Sequence, residues 1–131
     1  MPALNTILVV HTTADKAYAG TDADFQLQIG RPGDDLVKDF PDLPHDERER
    51  GRTDLYVFDV AGDNVNSDDP NFGLTMRMIN SEDGWLPESM LVLGQTFSGE
   101  AIVLGSHPQW NGGWFDRGSD AEGPEAHVIS S

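Results

Sequence analysis

The chain contains no cysteine. Disulfides, thiolate metal centres and cysteine nucleophiles are thereby excluded. Lysine is almost as scarce, with Lys16 and Lys38 the only examples. Eight basic residues stand against 23 acidic ones, for a net charge of −15. Such a surface repels phosphate backbones, so the electrostatic footprint of a DNA or RNA binder is missing. It also repels anionic lipid headgroups unless a cation intervenes. Long apolar runs are lacking too. Ile7-Leu8-Val9-Val10 spans four residues, no basic stretch precedes it, and His11 follows. The expectation is neither a signal peptide nor a transmembrane segment, hence a cytoplasmic protein or one exported by a signal-independent route. Acidity of this degree serves solubility, suits a high-salt setting, is incidental, or marks carboxylates gathered to bind calcium. Composition leaves these readings open.

The familiar catalytic signatures are also absent. There is no GxSxG elbow, HExxH pair, P-loop or dinucleotide glycine fingerprint. His11, His45, His107 and His127 are scattered without ligand spacing and read as surface or half-buried residues. The segment Asp63 to Asp69 faintly resembles an EF-hand loop, but it lacks the glycine at the sixth position and the distal glutamate. It reads as a polar turn. The expectation is a chain that binds rather than transforms, with no catalytic residue.

What is present is alternation. At 131 residues the chain is expected to be one domain, 1–131, with room for a real core. Period-two patterning predicts strands over Leu4–Thr12, Asp24–Gly30, Asp54–Val60 and Leu74–Asn80. Ser89–Leu93 and Glu100–Leu104 are apolar runs joined by a plausible hairpin, Gly94 to Gly99, and Asp35–Lys38 and Ala126–Ser130 are weaker candidates. Turn signals such as Gly30-Arg31-Pro32-Gly33-Asp34 and Ala61-Gly62-Asp63-Asn64 separate them. Many short strands at this spacing indicate a sandwich or barrel. The charged run Asp46 to Arg50 has room for one helical turn, and 116–125 reads as a loose polar loop.

Three segments combine glycine with hard oxygen donors: Gly20-Thr21-Asp22, Asp42 to Glu47, and Glu82-Asp83-Gly84. Calcium takes six to eight oxygens from carboxylates, carbonyls and water. Aspartate and glycine also form turns for their own reasons, and composition does not separate the two readings.

Three blocks in order resemble the PLAT family, named for polycystin, lipoxygenase and alpha-toxin. The stretch Thr13 to Asp24, with Ala19-Gly20-Thr21-Asp22-Ala23 at its centre, resembles the family's opening turn. Glu49-Arg50-Gly51-Arg52-Thr53-Asp54-Leu55-Tyr56 resembles its E-R-G-x-x-D-x-[FY] motif. Met76 to Asn80 followed by Gly84-Trp85 through Val92 resembles its I-x-x-D-N…G-W pattern. The resemblance covers about residues 4–93. It implies an all-β fold, an eight-stranded antiparallel sandwich. It also implies calcium ligands from the three loops: carbonyls of Gly20 and Gly84, an oxygen of Thr21, and carboxylates of Asp22, Asp46, Glu47 and Asp83, with Asp42 at a further site. Tyr18 stands where calcium-binding members can carry aspartate, and Leu43 and His45 replace the asparagine and glycine of the family's D-N-P-G run. The implied function is calcium-tuned attachment to a lipid surface or protein partner. A calcium-independent interaction module and a carbohydrate binder stay open beside it. Tyr18, Phe40 and Leu43, in or beside the loops, and Trp110 and Trp114 around Asn111-Gly112-Gly113, are candidates for membrane or partner contact. Trp85 is expected in the core.

Overall fold

The computed structural model describes residues 3–16, 19–21, 23–41, 43, 48–80, 84–117, 121 and 123–130. Eight strands follow one another: β1 Leu4–Thr13, β2 Phe25–Ile29, β3 Leu36–Asp39, β4 Thr53–Asp59, β5 Leu74–Met78, β6 Pro87–Thr96, β7 Ala101–His107 and β8 Ala126–Val128. They form two four-stranded antiparallel sheets, ordered β4-β1-β6-β7 and β3-β2-β5-β8. The all-β sandwich expected from the sequence is the observed fold, and no helix occurs among the described residues.

The alternation that predicted the strands also fills the core. Phe25, Leu27 and Ile29 of β2 meet Leu74, Met76 and Met78 of β5 on the inner face of one sheet. Ile7 and Val9 of β1, Tyr56 and Phe58 of β4, and Met90 and Val92 of β6 line the other. All are at most 3% exposed. Each fully buried side chain of this size contributes roughly 1.5–3 kcal/mol of transfer free energy. Trp85 is fully buried among them, as expected.

Two departures have physical causes. β6 runs from Pro87 to Thr96, longer at both ends than the apolar run suggested, because it pairs along most of the ten-residue β1. Gly94 therefore lies inside the strand, not in the hairpin turn. A Cβ there would come within 3.0 Å of both Leu4 and Leu104, so the glycine lets the two leucines close over the strand. In β4 the inward set is Asp54, Tyr56 and Phe58, and Leu55, Val57 and Asp59 face out. Asp54 is buried because its carboxylate has work inside. Of the charged run near Arg50, the described part is a turn in which Arg52 N–H donates to Glu49 O at 2.9 Å, with Gly51 at φ 73. The polar stretch 116–125 is anchored where described, with Asp116 N–H donating to Pro124 O at 3.1 Å.

Candidate functional site: one end of the sandwich

Strand direction brings four connections to one end. Thr12 pairs with Thr53 and Thr13 with Pro87, so β1 ends where β4 and β6 begin. Phe25 pairs with Met78 and Gln26 with Asp39, so β2 starts where β5 and β3 end. His107 of β7 lies opposite Met90, and Ala126 of β8 opposite Arg77. The β1–β2, β3–β4 and β5–β6 connections, which hold all three oxygen-rich segments, thus share this end with β7–β8.

Backbone hydrogen bonds lace these connections together. Thr21 N–H donates to Arg48 O at 3.0 Å, joining the first connection to the second. Leu86 N–H donates to Ala19 O and Ala14 N–H to Leu86 O, both at 3.0 Å, joining the first to the third. Trp85 and Phe115 exchange two N–H···O bonds at 2.8 Å, joining the third to the fourth. Glycine allows a close approach at two contacts. A Cβ on Gly20 would lie 3.0 Å from Arg48 O, and one on Gly84 would lie 3.0 Å from the Asp116 carboxylate.

Beneath the connections lies a floor of buried rings. Trp85 donates its indole N–H to Thr13 Oγ1 at 2.8 Å and packs against Phe25, Phe115 and His11. The Arg48 guanidinium sits 4.4 Å from the centre of the Phe25 ring, 5.1 Å from Tyr56 and 5.5 Å from Phe40. Attraction of a desolvated cation to ring faces is strongest in such a setting. Asp54 accepts the Arg48 backbone N–H at 2.8 Å and pairs with Arg52 Nε at 3.4 Å. Arg48 itself adopts a left-handed backbone, φ 53. His11 is fully buried between Tyr56 and Trp85, and neither ring nitrogen finds a hydrogen-bond partner of good geometry. Burial, and then the charge of Arg48, lower its pKa to about 3. It is a neutral core residue, not the surface or half-buried histidine its isolation in sequence suggested.

Of the expected metal ligands, Asp22, Asp42, Asp46, Glu47 and Asp83 lie outside the described residues, as does Tyr18. Gly20, Thr21 and Gly84 are described, and the hydrogen bonds above bring their segments together. Thr21 Oγ1 accepts Ala23 N–H at 3.1 Å. Among the described residues no group of three or more histidines and carboxylates is placed to hold a metal ion. The chemistry of the full donor set, carboxylates and carbonyls without nitrogen or sulfur, fits a hard cation such as calcium. Asp116 was not anticipated. It is 7% exposed and its carboxylate lies against Gly84, so the fourth connection brings a carboxylate to the third. Nothing in its local sequence marks it.

The aromatic candidates are less exposed than expected. Phe40 lies in the core, 8% exposed and edge-on to Phe25, Tyr56 and Phe58, so its ring is not at the surface. Leu43 and Trp110 are half-buried against the core. Trp110 stacks on Phe115 at 20°, meets His107 and His127 edge-on, and donates its indole N–H to Gly113 O at 2.9 Å. Trp114 is half-buried, and its carbonyl accepts from His127 Nε2 at 2.9 Å.

No family model matches the sequence, and no curated protein does. Solved structures with this fold do exist. Alpha toxin from Clostridium absonum superposes over 98% of this chain with a TM-score of 0.76 at 22% identity. Coral 8R-lipoxygenase, described as calcium-activated via a C2-like domain, matches over 95% with a TM-score of 0.63 at 16% identity. Alpha-toxin from an avian strain of Clostridium perfringens matches over 77% with a TM-score of 0.60 at 22% identity. The chain spans 32%, 16% and 30% of those proteins respectively. Its fold is the PLAT-type, C2-like β-sandwich, carried in both kinds of protein as one part of a larger chain.

Proposed function

We propose that this domain is a non-catalytic attachment module whose loop end takes up calcium and through it engages a lipid surface or a protein partner. The observation that carries the reading is the convergence of the three oxygen-rich connections, laced by Thr21–Arg48 and Leu86–Ala19 backbone bonds. In sequence Asp22 adjoins Thr21, Asp46 and Glu47 precede Arg48, Asp83 precedes Gly84, and Asp42 lies in the same β3–β4 connection. Carboxylates gathered without a counter-ion repel and raise one another's pKa; a divalent cation reverses the sign. The likeness to a lipoxygenase described as calcium-activated via a C2-like domain supports the same reading. The net charge of −15 opposes approach to anionic headgroups, and a bridging cation relieves that opposition. Phe40 is withdrawn into the core, so attachment rests on the bridging ion more than on an aromatic wedge. The engaged indole of Trp110 speaks against an open sugar-stacking platform.

Two measurements test the proposal. Calcium at a hundredfold excess over its dissociation constant should stabilise the native state by about 2.7 kcal/mol, seen as a raised melting temperature. Magnesium should raise it less, and Asp22→Ala with Asp46→Ala should remove the difference. Vesicles containing phosphatidylserine should then sediment the protein with calcium and not with chelator. An unchanged melting curve at saturating calcium refutes the calcium reading and leaves a plain interaction module.

A further inference from the structure

The β7–β8 connection carries a reactive dipeptide that the loop-end function does not use. Asn111-Gly112 is the one place where asparagine precedes glycine. Asn5, Asn64, Asn66, Asn71 and Asn80 precede Thr6, Val65, Ser67, Phe72 and Ser81. The connection is held on both sides of the pair. Trp110 N–H donates to Glu88 O, and the Trp110 indole N–H to Gly113 O, each at 2.9 Å. Phe115 is bridged to Trp85 just beyond. Between these anchors Asn111 and Gly112 are both exposed. Among the described residues, neither the Asn111 amide nor the Gly112 N–H makes a hydrogen bond.

Other asparagines are tied down. Asn80 Oδ1 accepts Asp24 N–H and its Nδ2 donates to Asp24 Oδ2, both at 2.8 Å. Asn66 Oδ1 accepts Asp68 N–H at 2.9 Å. At Asn111 the amide is free to meet the nitrogen that follows it. A Cβ on the following residue would crowd that approach. Glycine has none, and its backbone turns freely. The reacting atoms belong to adjacent residues, so the step is intramolecular and gains from proximity.

We propose that Asn111 is a self-modification site, which converts in the folded domain through a succinimide to aspartate and isoaspartate and so loosens the Trp110 turn. In the first step a bond forms between Gly112 N and Asn111 Cγ. The Cγ–Nδ2 bond breaks, and the Gly112 proton leaves with the side-chain nitrogen as ammonia. In the second step one water adds to either ring carbonyl. Opening at Cγ restores the normal backbone and leaves aspartate. Opening at the Asn111 backbone carbonyl leaves isoaspartate, with the chain running through Cβ and Cγ. Water is the only co-reactant.

Either product adds a negative charge to a chain already at −15. Isoaspartate also inserts a carbon into the backbone between Trp110 and Gly113. The turn has little slack for it. Gly113 sits at φ 80, and a Cβ on Gly112 would stand 2.5 Å from the Trp110 ring. The Gly113 carbonyl therefore leaves the indole N–H. Trp110 stacks on Phe115 and meets His107 and His127 edge-on, so the change reaches the packing between β7 and β8.

The test ages the 131-residue chain in neutral and in mildly alkaline buffer, native and in urea, followed by peptide mass mapping. Native Asn111 should gain the mass of an amide-to-acid change at least about tenfold faster than any other asparagine, a barrier lower by about 1.4 kcal/mol. The rate should rise in alkali, because the attacking group is the deprotonated amide. An endoprotease that cuts before aspartate should cut one share of the product and leave the isoaspartate share whole. Asn111→Gln, whose longer side chain closes a ring far more slowly, should stay unmodified. The isoaspartate form, separated by anion exchange, should exchange its Trp110 indole proton faster than the fresh chain. Freshly prepared Asn111→Asp carries the same charge on a normal backbone and should not. Conversion of Asn111 no faster than of Asn66 or Asn80, aspartate as the sole product, or an indole proton equally protected in every form overturns the proposal. So does conversion confined to the urea-unfolded chain, which would show that the turn shields the pair. Calcium enters none of these readouts, so the result stands apart from the loop-end function.

Discussion

His11 makes stability depend on pH in a window where carboxylates contribute little. In the folded chain its pKa is lowered to about 3 from an ordinary 6.5, first by burial and second by Arg48, while Asp54 and the residue's own backbone pull the other way. A depressed histidine pKa means that the unfolded chain binds the proton more readily. The native state therefore keeps its full advantage above pH 6.5 and loses it as pH falls, at about 1.36 kcal/mol per unit. Between pH 7.5 and 5.0 the loss works out at about 2 kcal/mol, and any folded pKa below about 4 gives the same figure. The assay is urea unfolding of the parent and of His11→Phe at several pH values. Phenylalanine keeps a ring against Tyr56 and Trp85 but cannot titrate. Acidification also relieves repulsion in a chain of charge −15, but that contribution is common to both proteins and cancels in their difference. So does any constant packing difference. The parent should lose about 2 kcal/mol more than the variant across that range, a relative midpoint shift of about 1 M urea for an m-value near 2 kcal/mol/M. Parallel pH profiles, or a His11 ring resonance that titrates near pH 6.5 in the folded protein, would refute the reasoning.

Thr13→Val keeps the side-chain shape but strips the acceptor from the Trp85 indole, fully buried at 2.8 Å from Thr13 Oγ1. It should destabilise by about 1–3 kcal/mol, measured by denaturant unfolding, and a cost near zero would mean the indole finds another acceptor. Asp54→Ala removes the acceptor of Arg48 N–H and the partner of Arg52. It should cost about 3 kcal/mol or more in the same assay and expose the loop-end amides to faster hydrogen exchange. A cost under 1 kcal/mol would show that the buried carboxylate is not what fixes the Arg48 turn.

The fold was legible because period-two patterning is a local property. Phe25, Leu27 and Ile29 alternate without interruption, and the structure buries all three. Gly94 misled because a glycine that relieves crowding between Leu4 and Leu104 looks the same in sequence as one that turns a hairpin. The oxygen-rich connections were legible as turns. Their meeting at one end depends on strand order, which only the family resemblance conveyed. The role of the polar residues beneath them was hidden, although Asp54 is the aspartate of the E-R-G-x-x-D-x-[FY] block. Asp54 stands in a strand between Thr53 and Leu55, and its partner Arg48 lies in a run that looks like any solvated charge cluster. Asp116 reaches Gly84 across 32 residues of chain, a distance over which pattern carries no information.

Arg48 connects the hidden part of the end to the proposed function. Its backbone carbonyl holds Thr21, beside Asp22, and its Nη1 lies 3.4 Å from the carbonyl of Ala23. By sequence it directly follows Asp46 and Glu47. A permanent cation thus stands at the junction of the two connections that carry Asp22, Asp46 and Glu47 in sequence, its guanidinium against three ring faces. If the carboxylates of the proposed site gather around it, this fixed positive charge offsets part of their repulsion before any metal arrives. That favours a fold that stands without calcium, unlike metal-dependent domains in which binding is folding. It would also weaken the field that the proposed site offers an incoming divalent ion, and so lower its affinity. Removing the charge at constant volume with Arg48→Met therefore has opposite effects on the two quantities. The metal-free domain should lose stability, as the ring faces lose their cation and the carboxylates lose their counter-charge, while the thermal shift on adding calcium should grow. If both fall together, Arg48 serves packing alone and the loop end is not electrostatically balanced in this way.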